Sequence, residues 1–106
     1  MGYLYIMTNT RNTVLYVGVT TDLSRRIKEH AEGIGSRFTQ RYNCKKLVYY
    51  EVFQTIEEAL ERETQLKWWR RRWKIQLIEK SNPIWTDLGK AMLSNPLLRD
   101  SGSSPE

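Results

Sequence analysis

The sequence predicts an α+β fold in which a three-stranded antiparallel sheet is flanked by helices, in the order β-β-α-β-α-α. Three observations carry this expectation. Residues 3 to 8, 14 to 18 and 47 to 53 are short runs dense in Tyr, Val, Ile and Leu, which pack well on a pleated surface. The first two flank a polar stretch of hairpin-loop length, residues 9 to 13, and so read as antiparallel neighbours. The segments between and after the strands repeat apolar residues at helical spacing, and helices with one apolar stripe must cover a sheet to bury it.

Taken in order, the hairpin is followed by Thr21 or Asp22 as an N-cap. Leu23, Ile27 and Ala31 then repeat every fourth residue, predicting a helix over residues 22 to 32 that ends at Gly33. Gly33-Ile34-Gly35 reads as a flexible link, and Ser36 caps a short helical turn through residues 38 to 42. After the third strand, Thr55 and Glu58 have capping-box spacing. Ile56, Ala59, Leu60, Leu66 and either Trp69 or Trp73 mark the apolar stripe of a long helix. That helix is interrupted around residues 68 to 71, and a second one runs to Lys80. Asn82-Pro83 stops it, because a residue before proline is pushed out of the α region. Residues 85 to 93 read as a short packed turn. Residues 1 to 93 form one domain. Residues 94 to 106, rich in Ser, Gly, Pro and Asp, read as a disordered tail with too little apolar surface to offset its ordering entropy.

A chain of 106 residues buries enough surface to hold a core without metal or disulfide staples. Cys44 is the single cysteine, so no internal disulfide forms, and no amino-terminal apolar run has signal or membrane-spanning length. The expectation is a soluble cytoplasmic monomer or weak dimer with no membrane partner and no small-molecule cofactor. Seventeen Lys and Arg stand against 12 Asp and Glu, a net charge of +5, which favours an anionic partner over an acidic protein or a neutral metabolite.

Hydrolysis of a phosphodiester needs a water nucleophile, a proton acceptor, positive charge for the phosphate oxygens and help for the leaving oxygen. The chain holds candidates for each role. Arg26 and His30 are four residues apart and project from one helix face, where they can converge on one phosphate. A lone histidine near a helix end also fits a surface or helix-dipole role. Glu63 lies seven residues after Ile56 and three before Leu66, which puts a carboxylate on the sheet-facing stripe. Three arrangements reconcile it with burial: a neutral carboxyl, an ion pair with Arg62 or Arg26, or a bound cation. Tyr5 and Tyr16 read on their own as ordinary sheet aromatics. Gly18, without a Cβ, lets the strand end approach a substrate phosphate closely. Trp68-Trp69-Arg70-Arg71-Arg72-Trp73-Lys74 interleaves rings and cations in the manner of single-strand binding segments. Trp69 and Trp73, at i and i+4, read as core, which leaves Trp68, Arg70, Arg71 and Arg72 to meet nucleic acid. Arg37, Arg41, Lys45 and Lys46 extend that basic surface.

The frame Tyr3-Leu4-Tyr5-Ile6, Leu15-Tyr16-Val17-Gly18-Val19-Thr20, Asp22-Leu23-Ser24-Arg25-Arg26-Ile27 with His30, Leu47-Val48-Tyr49-Tyr50-Glu51 and Asn82-Pro83 resembles the GIY-YIG nuclease superfamily, in particular its small stand-alone bacterial members. The resemblance covers residues 3 to 88. It implies a metal-dependent endonuclease that hydrolyses DNA phosphodiester bonds. By the same resemblance Glu63, within Ala59-Leu60-Glu61-Arg62-Glu63, is the single protein ligand of Mg2+ or Mn2+, and Arg26 steadies the scissile phosphate. Tyr16 is implied as general base, Tyr5 as a group orienting water or Tyr16, and His30 as a further catalytic residue. Asn82 matches the superfamily's late asparagine and reads as a structural or site-bracing residue, grouped with Gly18 as positioning substrate. Tyr3 and Leu4 depart from the glycine and isoleucine of the family name. Single-stranded or branched DNA is favoured, because so small a chain leaves little surface for a separate specificity domain. The competing reading is a non-catalytic nucleic-acid-binding module that keeps the fold, and a third is a structural scaffold. Glu63 separates the first two, since a module that only binds phosphate has no use for a carboxylate aimed at it.

Overall fold

Strand β1 (Gly2–Thr8) lies at the centre of the sheet in a computed structural model that describes residues 1 to 94. It pairs antiparallel with β2 (Leu15–Thr20) on one side and β3 (Lys46–Phe53) on the other, giving the order β2-β1-β3. A central strand of a small sheet is covered on both faces, and all of β1 except Tyr3 is buried. This explains why its apolar residues run almost without interruption instead of alternating.

Helix α1 (Leu23–Ala31) and α5 (Leu88–Ser94) cover one face, where Leu23, Ile27 and Leu88 pack on Tyr5, Met7 and Leu47. Helices α3 (Ile56–Trp68) and α4 (Arg71–Ser81) cover the other, where Leu66 and Ile78 join Leu4, Ile6, Val17 and Val48. The short helix α2 (Arg37–Arg41) follows α1, with Ser36 accepting from the Thr39 amide at its N-cap. The expected capping box is present: Thr55 accepts from the Glu58 amide, and the Glu58 side chain accepts from the Thr55 amide. Asp22, not Thr21, caps α1.

Several expectations change. The helical turn expected at residues 38 to 42 is helix α2, the packed turn expected at 85 to 93 becomes helix α5, and the simple six-element order omits both. Gly33-Ile34-Gly35 is an ordered helix terminus instead of a flexible link: Gly33 takes the left-handed conformation (φ 80°) and its amide, with that of Ile34, donates to the carbonyls of His30 and Glu29. Ala31 and Leu60, expected on apolar stripes, are exposed, and so is Trp73. On α3 the sheet-facing positions are Ala59, Arg62, Glu63 and Leu66, so Glu63 is on the stripe as expected and Arg62 joins it there. The expected disordered tail, save for Ser94, lies outside the described residues. No helix among the described residues is long and apolar enough to cross a membrane.

The β1–β3 register shifts between Ile6 and Met7, so that Tyr49 opposes Ile6, Leu47 opposes Met7 and Val48 is the extra residue of a bulge. The bulge turns Leu47 toward the α1 face while Val48 and Tyr49 face α3 and α4. Backbone groups released from a ladder need partners. Here Asn82 Nδ2 donates to the Val48 carbonyl at 3.0 Å, and the Leu47 amide donates to Asp87 Oδ1 at 3.1 Å. Asn82 also donates to the Thr86 carbonyl and accepts from the Thr86 amide. The side chain assigned to substrate positioning is therefore buried and fully committed to holding the segment after α4 against β3.

Replacement of Asn82 by alanine strands the Val48 and Thr86 groups in the interior and is expected to destabilise the fold by about 2 kcal/mol or more. A urea denaturation midpoint within error of the wild type would contradict this bracing role.

Candidate active site

Tyr5 sits in the middle of β1, only 1% exposed, with Gly18 of β2 directly opposite. A Cβ on Gly18 would lie 2.6 Å from the Tyr5 hydroxyl and 3.0 Å from Cε2 of Tyr16. The glycine is thus required by the two tyrosines, whose rings fill the space that the sequence reading reserved for an approaching phosphate. Tyr5 and Tyr16 ring centroids are 6.2 Å apart.

His30 completes the cluster from α1. Its ring lies 5.9 Å from that of Tyr5 and 6.1 Å from that of Tyr16, and Nε2 is 3.5 Å from the Tyr5 hydroxyl. The imidazole is 2% exposed. Nδ1 has no hydrogen-bond partner and faces Gly35, where a Cβ would come within 2.3 Å of it. His30 therefore stands behind the tyrosines, and the expectation that it reaches a phosphate alongside Arg26 gives way to a supporting position.

Arg26, one turn earlier, is about one-third exposed and keeps its guanidinium at the surface of the cluster, with Nε 3.4 Å from Glu29 Oε1. That is an ion-pair distance without hydrogen-bond geometry, so the Nε donor stays unengaged. From there its charge acts on both Tyr5 and His30.

The protonation states follow from burial. Desolvation, reinforced by Tyr16 and opposed by Arg26, pushes the Tyr5 phenol well above its ordinary value of 10 and keeps it neutral. Burial, then Arg26, holds His30 below its ordinary 6.5, with Glu29 partly offsetting them. Of the three rings only Tyr16 is partly exposed, so it alone is open to solvent.

Glu63 reaches the cluster from α3. Its carboxylate is close enough to Tyr5 to raise the phenol further, and its side chain is 18% exposed. Neither arginine weighed for it is its partner: Arg62 Nε and Nη2 bind Glu51 at 3.0 and 3.1 Å, and Arg26 leans on Glu29. The counter-ion is Lys67, one turn along, at 3.1 Å and largely exposed. Among the described residues no three His, Cys, Asp or Glu side chains converge as a metal cage. Glu63 fits a hard cation that keeps most of its water and takes one carboxylate, because its carboxylate is partly exposed and its partner is a solvent-exposed lysine.

The basic residues divide into groups. Arg70, Arg71 and Arg72 are exposed at the start of α4 with Trp68 beside them, 85% exposed. Arg71 reaches the β1–β2 hairpin and donates to the Asn12 carbonyl at 3.4 Å. Arg37 and Arg41 are exposed on α2, Lys45 is exposed before β3, and Lys46 is half-buried at its start. The sequence reading missed Gly35, Phe38, Lys67 and Lys74. The spacing of Glu63 and Lys67 made their ion pair legible. Phe38 stacks on Tyr16 at 5.7 Å through a chain reversal that no local pattern marks.

Comparison with known proteins gives the same picture. Residues 1–76 match the GIY-YIG catalytic domain family. The chain is 39% identical to a UPF0213 protein of Haloquadratum walsbyi over 82 residues, 77% of this chain and 91% of the relative. It is also 39% identical to a UPF0213 protein of Clostridium perfringens over 82 residues, covering 77% and 87% respectively. Among solved structures it resembles the solution NMR structure of a UPF0213 protein from Bacillus halodurans, with a TM-score of 0.53, 35% identity, and 89% of this chain and 98% of that chain covered.

As the sole histidine, His30 can be titrated by NMR without overlap, and its ring is expected to protonate below 6.5. A base whose folded pKa is depressed stabilises the fold fully above its unfolded pKa and loses that contribution as pH falls through 6.5 toward the folded value. The denaturation midpoint should therefore drop over that window, and His30→Gln should flatten the drop. A ring titrating at or above 6.5 would show that the imidazole is not desolvated as the structure requires.

Proposed function

Because the chain belongs to the GIY-YIG catalytic domain family, a family of nucleases, we propose that it is a divalent-metal-dependent endonuclease that hydrolyses DNA phosphodiester bonds. The observation that carries this reading is the convergence of Tyr5, Tyr16, Arg26, His30 and Glu63 from four elements onto one spot in a basic chain.

Each residue has a task that its environment suits. Arg26, with its side chain one-third exposed, brings a planar guanidinium that can hold the non-bridging oxygens as negative charge builds on them. Tyr16, the accessible phenol, takes the proton of the attacking water. Tyr5, kept neutral by burial, acts as a fixed hydrogen-bonding group that orients Tyr16 and water. His30, uncharged at neutral pH, backs the Tyr5 hydroxyl without adding a second buried cation beside Arg26. Glu63 would hold Mg2+ or Mn2+, which when bound supplies positive charge to the phosphate and stabilises the leaving oxygen.

Incubation with labelled single-stranded, duplex and branched DNA pools should give cut ends with Mg2+ or Mn2+ and none with chelator. Binding to DNA without cleavage in any metal would select the binding-module reading instead. Glu63→Ala is expected to abolish cleavage while leaving DNA affinity equal or higher, because it removes a metal ligand and a negative charge near phosphate. Metal-dependent cleavage by this variant at the wild-type rate would sink the assignment.

Tyr16→Phe keeps the ring that fills the sheet face and deletes one oxygen. Single-turnover cleavage should slow on the order of 10²-fold or more if Tyr16 is the general base. A loss of only a few-fold would move that role elsewhere in the cluster. Arg26→Ala should lower the same rate far more than affinity, whereas Arg71→Ala should weaken binding and flatten its salt dependence.

A further inference from the structure

A groove runs along the β2 edge from Tyr16, with Phe38 on one wall and Lys67 and Lys74 on the other. The two walls differ in chemistry. Phe38 stacks on Tyr16 with an interplanar angle of 29° and stays 41% exposed, so the rest of its ring surface is open. Behind it, Tyr42 lies at 4.8 Å and carries the Arg41 guanidinium over its own ring at 5.5 Å. The opposite wall is cationic. Lys74 is half-buried, and its ammonium is pushed below its ordinary value by desolvation first and then by Arg71 and Lys67. Lys67 is shared with Glu63 at 3.1 Å, so the half-buried Lys74 is the cation of this wall that a further anion would relieve most.

We propose that this groove is a subsite for one unpaired nucleotide next to the scissile bond, with its base stacked on Phe38 and its phosphate held by Lys74 and Lys67. The occupant follows from complementarity on the two walls. A flat ring beside two lysines matches a base and its phosphate, and Tyr16, which lines the groove and also belongs to the cluster with Tyr5 and His30, sets the subsite next to that cluster. A base can offer its face to Phe38 only when it is out of a duplex stack, so the subsite favours single-stranded DNA over paired DNA. The inference rests on the nuclease reading for the identity of its ligand, not for the shape or charge of the groove.

The test is binding in EDTA, so that no cleavage enters the measurement. Fluorescence anisotropy would compare a short labelled oligothymidylate with a duplex of equal length. Phe38→Leu keeps apolar contact with Tyr16 but loses the flat ring, and it should weaken single-strand binding roughly 10-fold with duplex affinity unchanged. Phe38→Trp should restore single-strand binding, which separates stacking from a loss of local structure. Lys74→Gln should lower the salt slope for the single strand by about 0.7, the loss of one phosphate contact. Equal loss for both DNA forms in Phe38→Leu, no loss in either, or an unchanged salt slope in Lys74→Gln would each overturn the subsite. The two readings fail separately. Wild-type cleavage with wild-type binding by the Phe38 and Lys74 variants removes the subsite alone, whereas the expected binding changes in a protein that cuts nothing remove the nuclease reading alone.

Discussion

The rest of the site depends on one packing constraint, the burial of a phenol at the centre of a strand covered on both faces. Tyr5 cannot send its hydroxyl to water, so the groups around it must accommodate a polar atom in a dry place. The neighbouring residues follow from that. Gly18 opposite leaves room for the hydroxyl and for Tyr16, His30 brings a ring nitrogen toward it, and Gly35 leaves room for the imidazole in turn. Arg26 adds a positive charge at the rim, which opposes the upward push of burial on Tyr5 and adds to the downward push on His30. Two glycines far apart in the chain thus serve the same cluster, each by the absence of a Cβ.

The other face of the sheet shows how charged residues are carried on a buried stripe. Arg62 and Glu63 occupy sheet-facing positions of α3 but meet different fates. Arg62 is fixed by a two-pronged ion pair with Glu51, which also accepts from the Tyr49 hydroxyl, and it lies over Trp69 at 5.2 Å. Breaking such a partly buried network by removing one partner is costly, which marks it as structural. Glu63 has only an exposed lysine one turn away, a pair of the kind that contributes little to stability and exchanges readily. The stronger cation is spent on the scaffold, and the carboxylate beside the tyrosines keeps a replaceable partner.

Placement of α3 and α4 also depends on an irregularity. The bulge at Val48 changes which face Leu47 and Tyr49 serve, and the backbone groups it releases are met by Asn82 and Asp87 from the segment between α4 and α5. The start of α4 is held separately, through Arg71 and the hairpin carbonyl of Asn12. Lys67 and Lys74 reach the Tyr16 edge from the two sides of the α3–α4 junction, so the groove is as rigid as these attachments make it.

Much of this was legible in the sequence because it is written in local patterns. Strand composition, the spacing of Leu23 and Ile27, the Thr55–Glu58 capping box and the break before Arg71 depend on neighbours within a few residues, and each appears where expected. The catalytic candidates were legible through the resemblance that their motifs carry, and the structure brings Tyr5, Tyr16, Arg26, His30 and Glu63 together. Asn82 was found as a bracing residue, but the sequence gives a residue's chemistry without the partner that uses it, so neither the groups Asn82 holds nor the tyrosines that need Gly18 could be named. Ala31, Leu60 and Trp73 were assigned to the core by periodicity, yet the covered angle of a helix is set by what lies against it. The sequence by itself determined the elements, the charge and the residue types of the site. Tertiary structure alone decided that His30 faces inward against Tyr5, that Arg62 is taken up by Glu51, and that Phe38 folds onto Tyr16, because each is a contact between segments whose approach no local spacing encodes.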